Sequence, residues 1–163
     1  MINMFDFSEI VQNFSLENGY PEVSFDEISF YKRKVIPREQ LLVVAKTLRD
    51  KFYFDELIDT VSIDRFTEQN RFELIYNIWS NKHKTRLFIR VKLDSKKPEI
   101  DSLTSIWQTA NWQEREAYDM MGIIFINHPD LRRIYMNDGY EYFPLRKDYP
   151  LMGLPGAVEL PNK

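Results

Sequence analysis

The chain lacks cysteine altogether, so disulfide bonds, thiol nucleophiles and thiolate-held iron–sulfur clusters are excluded by composition. Histidine is nearly absent, because the 163 residues include only His83 and His128. A metal site built from several histidines is therefore not expected. The sequence also has no glycine-rich dinucleotide-binding fingerprint, which argues against a nucleotide cofactor held by this chain.

Two further absences concern membranes and nucleic acids. No hydrophobic run approaches the roughly 20 residues that span a bilayer, and the N-terminal MINMFDFSEI has acidic residues where a signal peptide needs basic ones. The net charge of −3 provides no broad basic surface for nucleic acid or anionic lipid. We therefore expect a soluble, cytoplasmic protein that reaches a membrane only through a partner and does not bind nucleic acid.

The residues that are present predict a sheet. Hydrophobic residues make up 44% of the chain, which is sufficient for the core of one domain. Period-two alternation predicts strands over residues 57–63, 72–78 and 87–93, and β-branched and aromatic residues predict another over residues 28–36. Residues 80–85 read as a polar hairpin loop. The pattern predicts a mainly antiparallel sheet with one face open to water.

Helices are predicted to cover the other face of the sheet. Apolar residues at helical spacing predict a short helix over residues 7–14 and a longer one after Pro37. The buried face of the longer helix comprises Leu41, Val44, Ala45, Leu48 and Phe52. Two more helices are predicted over residues 102–109 and 112–121. The fold class is therefore α+β, with a globular domain over residues 1–125.

Charged residues in the last predicted helix have structural explanations. Asn111 is placed as an N-cap with Glu114 three residues on, a relative of the capping box. Arg115 and Asp119 lie four residues apart and are predicted to pair along one face. Gly122 suits the left-handed position that ends a helix.

The character of the sequence changes after residue 125. Residues 126–163 contain five of the eight prolines and three of the five glycines and show no regular periodicity. The segment nevertheless carries many tyrosine, leucine and arginine residues, a composition typical of protein interfaces. We predict a long, extended tail over residues 126–163 that wraps around a partner.

Three stretches in the C-terminal half are distinctive. They are WQEREAYDMMGI at residues 112–123, HPDLRRI at residues 128–134 and PLRKDYPL at residues 144–151. In this order and spacing they closely resemble the signature of the 30-kDa subunit family of complex I, also called the C subunit of NADH:quinone oxidoreductase. The resemblance is specific over about residues 107–151 and looser upstream.

The resemblance implies a non-catalytic structural subunit in the peripheral arm of a proton-translocating NADH:quinone oxidoreductase. Such a protein belongs to a hetero-oligomer on the cytoplasmic face of the membrane. It packs against a quinone-site subunit of the 49-kDa type and the subunit that carries cluster N2. FMN, iron–sulfur clusters and quinone are then expected on partner subunits, with no cofactor, metal ion or catalytic residue in this chain.

Interface or structural roles are expected for residues of the three motifs. Arginines and lysines that alternate with apolar residues favour interface anchoring over plain solvation, and a histidine before a proline favours a turn contact over metal binding. The expected set is Glu114, Arg115, Glu116, Asp119, Gly122, His128, Pro129, Arg132, Arg133, Pro144, Leu145, Arg146, Lys147, Asp148, Tyr149 and Pro150.

Two alternative functions are consistent with the sequence. The same family resembles accessory subunits of energy-converting membrane-bound hydrogenases, and the sequence does not record the electron donor. A free-standing hydrolase would instead use Glu114 and Glu116 as a paired acid and base. That alternative predicts turnover by the isolated protein.

Overall fold

The computed structural model describes residues 25–26, 33–66 and 69–150. Its main sheet consists of β1 (Phe25–Asp26), β2 (Arg33–Val35), β3 (Glu56–Asp64), β4 (Phe72–Ser80) and β5 (Thr85–Leu93). The strand order is β1-β2-β5-β4-β3. Only the pairing of β2 with β5 is parallel within this described sheet. The predicted mainly antiparallel sheet is confirmed.

The three long strands form the centre of the core. β4 pairs with β5 in an uninterrupted antiparallel register, and β3 pairs with β4 with a bulge between Leu57 and Asp59. Alternate residues of β4 and β5 point to one side and are buried there, including Leu74, Tyr76, Ile78, Leu87, Ile89 and Val91. The alternation visible in the sequence therefore corresponds to one buried sheet face.

Helix α1 (Leu41–Asp50) follows β2 through a 3₁₀ turn at Arg38–Gln40. Pro37 precedes that turn, where a residue without an N–H group costs no hydrogen bond. The predicted buried face of α1 is confirmed for Leu41, Val44, Ala45 and Leu48, which belong to the same core as the sheet.

Three predictions for the N-terminal half have different outcomes. Phe52 lies beyond the end of α1 and is only partly buried. The predicted helix over residues 7–14 lies outside the described residues. Of the strand predicted over residues 28–36, residues 33–36 are described, and Arg33–Val35 form β2.

Helix α2 (Ala110–Met121) is flanked by two short strands, β6 (Glu99–Asp101) and β7 (Ile124–Ile126). These strands pair with each other in parallel as a second, two-stranded sheet. Neither strand was predicted, because a three-residue strand is too short to show an alternating pattern.

The helix predicted over residues 102–109 is wrong. The segment consists of hydrogen-bonded turns, in which the N–H groups of Ile106 and Trp107 both donate to the carbonyl of Leu103 at 2.9 Å. The Trp107 indole is buried and donates to the carbonyl of Phe54 at 3.2 Å. The apolar residues that suggested a helix, such as Leu103 and Trp107, are instead buried in a tight turn.

Side chains at the start of α2 bind the first part of β3, an outer strand of the main sheet. The Thr109 hydroxyl donates to the carbonyl of Leu57 at 3.0 Å, and the Gln113 amide donates to the carbonyl of Ile58 at 3.0 Å. The Thr60 hydroxyl also donates to the Gln113 side-chain oxygen at 3.0 Å. These bonds fix α2 beside β3.

Residues 127–150, here called the anchored tail, contain no helix or strand. They begin at Asn127 in a left-handed conformation with φ of 63° and run back along α2 and the main sheet. The absence of regular secondary structure predicted for the tail over residues 126–163 holds for these described residues, which form turns and bends, whereas Ile126 belongs to β7 and residues 151–163 lie outside the described residues. Within the described part of the chain, no helix has the length and hydrophobicity needed to cross a membrane.

Candidate functional site

Glu114 on α2 is fully buried and holds the turn that precedes the helix. Its carboxylate accepts hydrogen bonds from the Ser102 hydroxyl at 2.6 Å and from the Leu103 N–H at 2.7 Å. Burial raises the pKa of Glu114 to about 7, against the opposing effect of these two donors. The capping box predicted with Asn111 is wrong, because Thr109 is the N-cap and has no side-chain cap bond.

The Tyr76 hydroxyl on β4 lies in the same interior as Glu114. It is fully buried and has no hydrogen-bond partner among the described residues. Burial raises the pKa of Tyr76 well above its ordinary value, and the charge of Glu114 raises it further. A neutral tyrosine and a carboxyl that readily takes a proton therefore share this part of the core.

Glu116 is exposed, whereas Glu114 is buried on another side of α2. Two residues apart on a helix, their side chains point away from each other. The structure does not bring together the acid–base pair that the hydrolase alternative requires.

Asp119 is the central anchor of the tail. Its Oδ2 atom accepts the N–H groups of Ile134, Tyr135 and Met136 at 3.0, 2.7 and 3.0 Å, and Oδ1 accepts the Arg133 guanidinium at 2.7 Å. Burial opposes ionisation of Asp119, but these four donors together lower its pKa below the ordinary value. Asp119 is therefore a buried carboxylate satisfied by one short segment of the tail.

Arg115 does not pair with Asp119, contrary to the sequence-based prediction. Its guanidinium is buried and donates to the carbonyls of Arg132 and Arg133 at 3.1 and 3.4 Å. The same guanidinium lies 4.7 Å from the ring centre of Trp112, a side chain that is 64% exposed. Two consecutive turns of α2 thus hold the same part of the tail, one through a cation and one through an anion.

Gly122 ends α2 in the left-handed conformation, with φ of 72°. The predicted role of Gly122 is confirmed. The close approach of the tail is a second reason why this position requires glycine. A Cβ atom at this position would lie 2.7 Å from two ring carbons of Phe143 and still nearer to the Arg146 guanidinium. The Arg146 Nε donates to the carbonyl of Met121 at 2.6 Å. Only glycine lets the tail approach the helix end this closely.

Asp64, at the end of β3, holds the last part of the tail. It accepts two bonds from the Arg71 guanidinium, at 2.8 and 2.6 Å, and the Lys147 N–H at 2.8 Å. The side-chain hydrogen bonds from Arg71 are the main cause that lowers the pKa of Asp64 to about 2. Arg71 also pairs with Asp148 of the tail at 2.8 Å. The sequence-based set included Lys147 and Asp148 but missed Asp64 and Arg71, since charged residues at strand ends give no signal of their partners.

His128 lies in a turn at the start of the tail. The Asp130 N–H donates to its Nδ1 at 3.0 Å, so Nδ1 is an acceptor and Nε2 carries the proton donated to the carbonyl of Asn111 at 3.1 Å. Burial lowers the pKa of His128, which keeps the ring neutral. Both ring nitrogens are thus used within the chain.

The sixteen residues expected from the motifs divide into two groups by exposure. The fully or partly buried group comprises Glu114, Arg115, Asp119, Gly122, His128, Arg133, Pro144, Arg146 and Tyr149. The exposed group comprises Glu116, Pro129, Arg132, Leu145, Lys147, Asp148 and Pro150. Within the buried group, hydrogen bonds of Arg115, Asp119, His128, Arg133 and Arg146 join α2 to the anchored tail. Contact with a partner stays a prediction for all sixteen residues.

Apolar surface accompanies these polar anchors. Tyr135 is 64% exposed and Leu145 is 56% exposed, and Tyr142 and Trp112 are exposed as well. The tail is therefore fixed to its own domain by polar groups while several of its large side chains face outward. Exposed aromatic residues beside arginines are the composition found in the energetic centres of protein interfaces.

The chain is similar in sequence to proteins of one known family. Residues 34–154 match the family model described as respiratory-chain NADH dehydrogenase, 30 Kd subunit. The chain is 44% identical to the C subunit of NADH-quinone oxidoreductase from Geotalea uraniireducens (strain Rf4) over 73% of each protein. It is 37% identical to a combined C/D subunit of NADH-quinone oxidoreductase from Aquifex aeolicus (strain VF5), over 84% of this chain and 24% of that protein.

Two solved structures share the fold. A trypsin-resistant fragment (1-134) of Nqo5 aligns with a TM-score of 0.63 and 31% identity, covering 76% of this chain and 98% of the fragment. A chain of an archaeal membrane-bound sulfane sulfur reductase aligns with a TM-score of 0.73 over 90% of this chain and 86% of that chain. At 17% identity the second likeness shows the fold alone. The chain belongs to the family of the 30-kDa subunit of respiratory-chain NADH dehydrogenase.

Proposed function

We propose that this chain is a non-catalytic structural subunit in the peripheral arm of a proton-translocating NADH:quinone oxidoreductase. In this function it packs against the quinone-site and cluster-bearing subunits on the cytoplasmic face of the membrane. Electrons then pass through FMN and iron–sulfur clusters that partner subunits carry. The observation that carries the proposal is the family match over residues 34–154, which spans both the domain and the anchored tail.

The Aquifex aeolicus relative supports a partner of the D-subunit type. Its name combines the C and D subunits, and this chain matches 24% of its length. A segment similar to this chain is therefore joined to a much longer remainder in that protein. Two subunits that function as one polypeptide in a relative are expected to lie side by side when they are separate chains.

The hydrogen bonding of the buried polar groups within the chain supports a structural role. The buried carboxylates of Glu114, Asp119 and Asp64 are each satisfied by donors of the same chain. His128 likewise uses both ring nitrogens within the chain. A catalytic group needs a free hydrogen-bonding position that faces a substrate, and the sequence provides no thiolate for an iron–sulfur cluster.

The outward-facing side chains support a partner on the tail side of the molecule. Tyr135 and Leu145 expose large apolar surface, while Arg132 and Lys147 place cations beside them. The Nqo5 fragment that shares this fold is resistant to trypsin. In that relative, then, a protease leaves this fold intact as a unit, which agrees with a stable domain that presents a surface for assembly.

The test is purification of a tagged copy from mild-detergent extracts, with identification of the proteins that accompany it. Flavin-bearing and NADH-oxidising subunits support the proposal, and a nickel-bearing partner indicates a membrane-bound hydrogenase instead. Recovery of the chain alone, with hydrolytic turnover that is lost in Glu114→Gln, overturns the structural role.

A second measurement separates assembly from chemistry. Reversing both exposed tail cations, Arg132→Glu with Lys147→Glu, is expected to cost roughly 2–5 kcal/mol of assembly if their partners are buried carboxylates. Native gels should then show less intact complex, with unchanged quinone reductase activity per complex. The matched control is Lys46→Glu with Lys96→Glu, which changes the charge equally at exposed positions away from the tail. Normal assembly with reduced activity per complex would place the tail cations in the reaction itself.

A further inference from the structure

The Tyr76 hydroxyl is a buried polar group that the described chain leaves without a partner. Three buried side-chain oxygens of the described residues form no hydrogen bond, and they belong to Gln40, Tyr76 and Asn77. Gln40 and Asn77 are partly exposed residues, whereas Tyr76 has no exposed surface. A buried hydroxyl loses its hydrogen bonds to water on folding, and buried polar groups in proteins are nearly always bonded. The Tyr76 hydroxyl therefore requires a partner.

The position of α2 brings Glu114 to the same part of the core. Thr60 of β3 is the cross-strand neighbour of Tyr76, and its hydroxyl donates to the Gln113 side chain at 3.0 Å. Gln113 directly precedes Glu114 on α2. Tyr76 and Glu114 are both fully buried, and the charge of Glu114 raises the pKa of Tyr76. The two side chains therefore lie close to each other between the sheet and α2.

The Glu114 carboxylate has acceptor positions to spare. Its Oε2 accepts the Ser102 hydroxyl at 2.6 Å, and its Oε1 accepts the Leu103 N–H at 2.7 Å. A carboxylate offers about four acceptor positions, so each oxygen retains one beyond these two bonds. The pKa of Glu114 is raised to about 7 because the two donors do not offset the effect of burial. A further donor would stabilise the charged form.

A water molecule suits the space between these two groups. The Tyr76 hydroxyl forms no direct bond with Glu114, although the two side chains lie close to each other. Buried waters bind polar groups that the chain leaves unpaired, and they form about three hydrogen bonds each. A water accepts from one group and donates to the next, so it can join a hydroxyl to a carboxylate.

We propose that a buried water molecule binds between the Tyr76 hydroxyl and the Glu114 carboxylate. The water accepts the phenolic hydrogen and donates one of its own hydrogens to a carboxylate oxygen. It thereby joins β4 to α2 and, through Glu114, to the turn at Ser102 and Leu103. Because α2 also carries Asp119, the water helps to fix the helix that holds the anchored tail. This inference concerns the folded chain alone and does not depend on the proposed function.

Tyr76→Phe in the full-length chain tests the water site by the sign of its effect. If a water joins the hydroxyl to Glu114, the substitution removes a bonded group and lowers the equilibrium constant for folding about fivefold, the usual net effect of one hydrogen bond. If the hydroxyl is unpaired, its removal relieves a cost of burial and the constant rises, which overturns the inference. Tyr135→Phe is the matched control and should leave the constant unchanged, because that side chain is 64% exposed.

NMR titration of the Glu114 carboxyl carbon tests whether Tyr76 acts on Glu114. With the water in place, Tyr76→Phe weakens a donor to the carboxylate, so the pKa of Glu114 should rise above its value in the wild type. Tyr135→Phe should leave this pKa unchanged. An unchanged pKa in Tyr76→Phe means that the hydroxyl is not linked to Glu114, and the inference is then wrong.

A crystal structure of the full-length chain identifies the bridging group. At a resolution that shows single waters, we expect a density peak within about 3.2 Å of both the Tyr76 Oη and a carboxylate oxygen of Glu114. The peak should weaken or disappear in Tyr76→Phe. A direct hydrogen bond between the two side chains, or the absence of the peak in the wild type, overturns the water site. Neither result bears on assembly with partner subunits, so the proposed function is tested separately.

Discussion

The globular domain and the anchored tail of this protein are stabilised in different ways. The domain contains apolar side chains at regular intervals and continuous strand pairing, as in β4 and β5. The tail has neither, and its position is fixed by individual polar groups of the domain, chiefly Asp119 and Asp64. The domain depends on a pattern that many residues share, whereas the tail depends on a few residues, so single substitutions should affect the two regions very differently.

The largest effect is expected from Asp119→Ala. This change removes the carboxylate that accepts from the Arg133 guanidinium and from three N–H groups of the tail, and loss of one partner of a buried ion pair costs roughly 3–5 kcal/mol. Urea unfolding should show that loss, and proteases should cut within residues 127–150. Glu116→Ala, on an exposed part of the same helix, is the control. A variant whose tail stays protease-resistant would contradict the division into two regions.

The next effect concerns the domain alone and depends on pH. Because the pKa of Glu114 rises from 4.5 to about 7 on folding, its contribution of roughly 3 kcal/mol is present at low pH and is lost as pH rises through 7. Glu114→Gln should remove this pH dependence. The free energy of unfolding of the variant should therefore rise relative to that of the wild type between about pH 5 and about pH 8. Unfolding curves at both pH values measure it. If the free energy of unfolding changes equally with pH in the two proteins, Glu114 does not titrate in this range.

A smaller effect is expected where the two regions meet. Gly122→Ala forces alanine into the left-handed conformation, which costs about 1–2 kcal/mol, and adds a contact with Phe143 that displaces the tail. Gly139→Ala is a matched control, because a Cβ atom there meets nothing within 4 Å. Thermal unfolding with limited proteolysis compares them. Equal behaviour of the two variants would mean that the tail does not pack on the end of α2.

The smallest effect is expected at the surface of the tail. Arg132 pairs with Asp130, but both side chains are substantially exposed, at 69% and 48%. Such pairs contribute about 0–1 kcal/mol, so Arg132→Ala should barely change the unfolding of the isolated chain. Chemical denaturation measures this value. A loss comparable to that of Asp119→Ala would show that exposed charges also hold the tail in place.

The same contrast explains what was predictable from the sequence. The three long strands and the buried face of α1 were predicted because each element repeats its signal over many residues. Gly122 was predicted because a helix end has a local requirement. In contrast, the hydrogen bond that the Leu103 N–H donates to Glu114, and those that N–H groups of the tail donate to Asp119, join residues whose pairing no local pattern specifies.

Errors in the sequence-based predictions have the same origin. Asn111 and Glu114 have the residue types of a capping box, yet α2 begins two residues earlier than predicted and the Glu114 carboxylate binds the preceding segment. Arg115 and Asp119 have the right spacing to pair, but each has a better partner in the tail. Spacing indicates which side chains are neighbours on a helix, and tertiary contacts decide which of them bind.

The hydrogen bonds from α2 to β3 also affect how the outer edge of the main sheet can pair with another chain. An outer strand with free carbonyls and exposed Ile58 and Val61 is a template on which a second copy adds its own strand. Thr109 and Gln113 occupy the carbonyls of Leu57 and Ile58. Two carbonyls in the first part of this outer strand are thereby already bonded within the chain, which disfavours edge-to-edge pairing there.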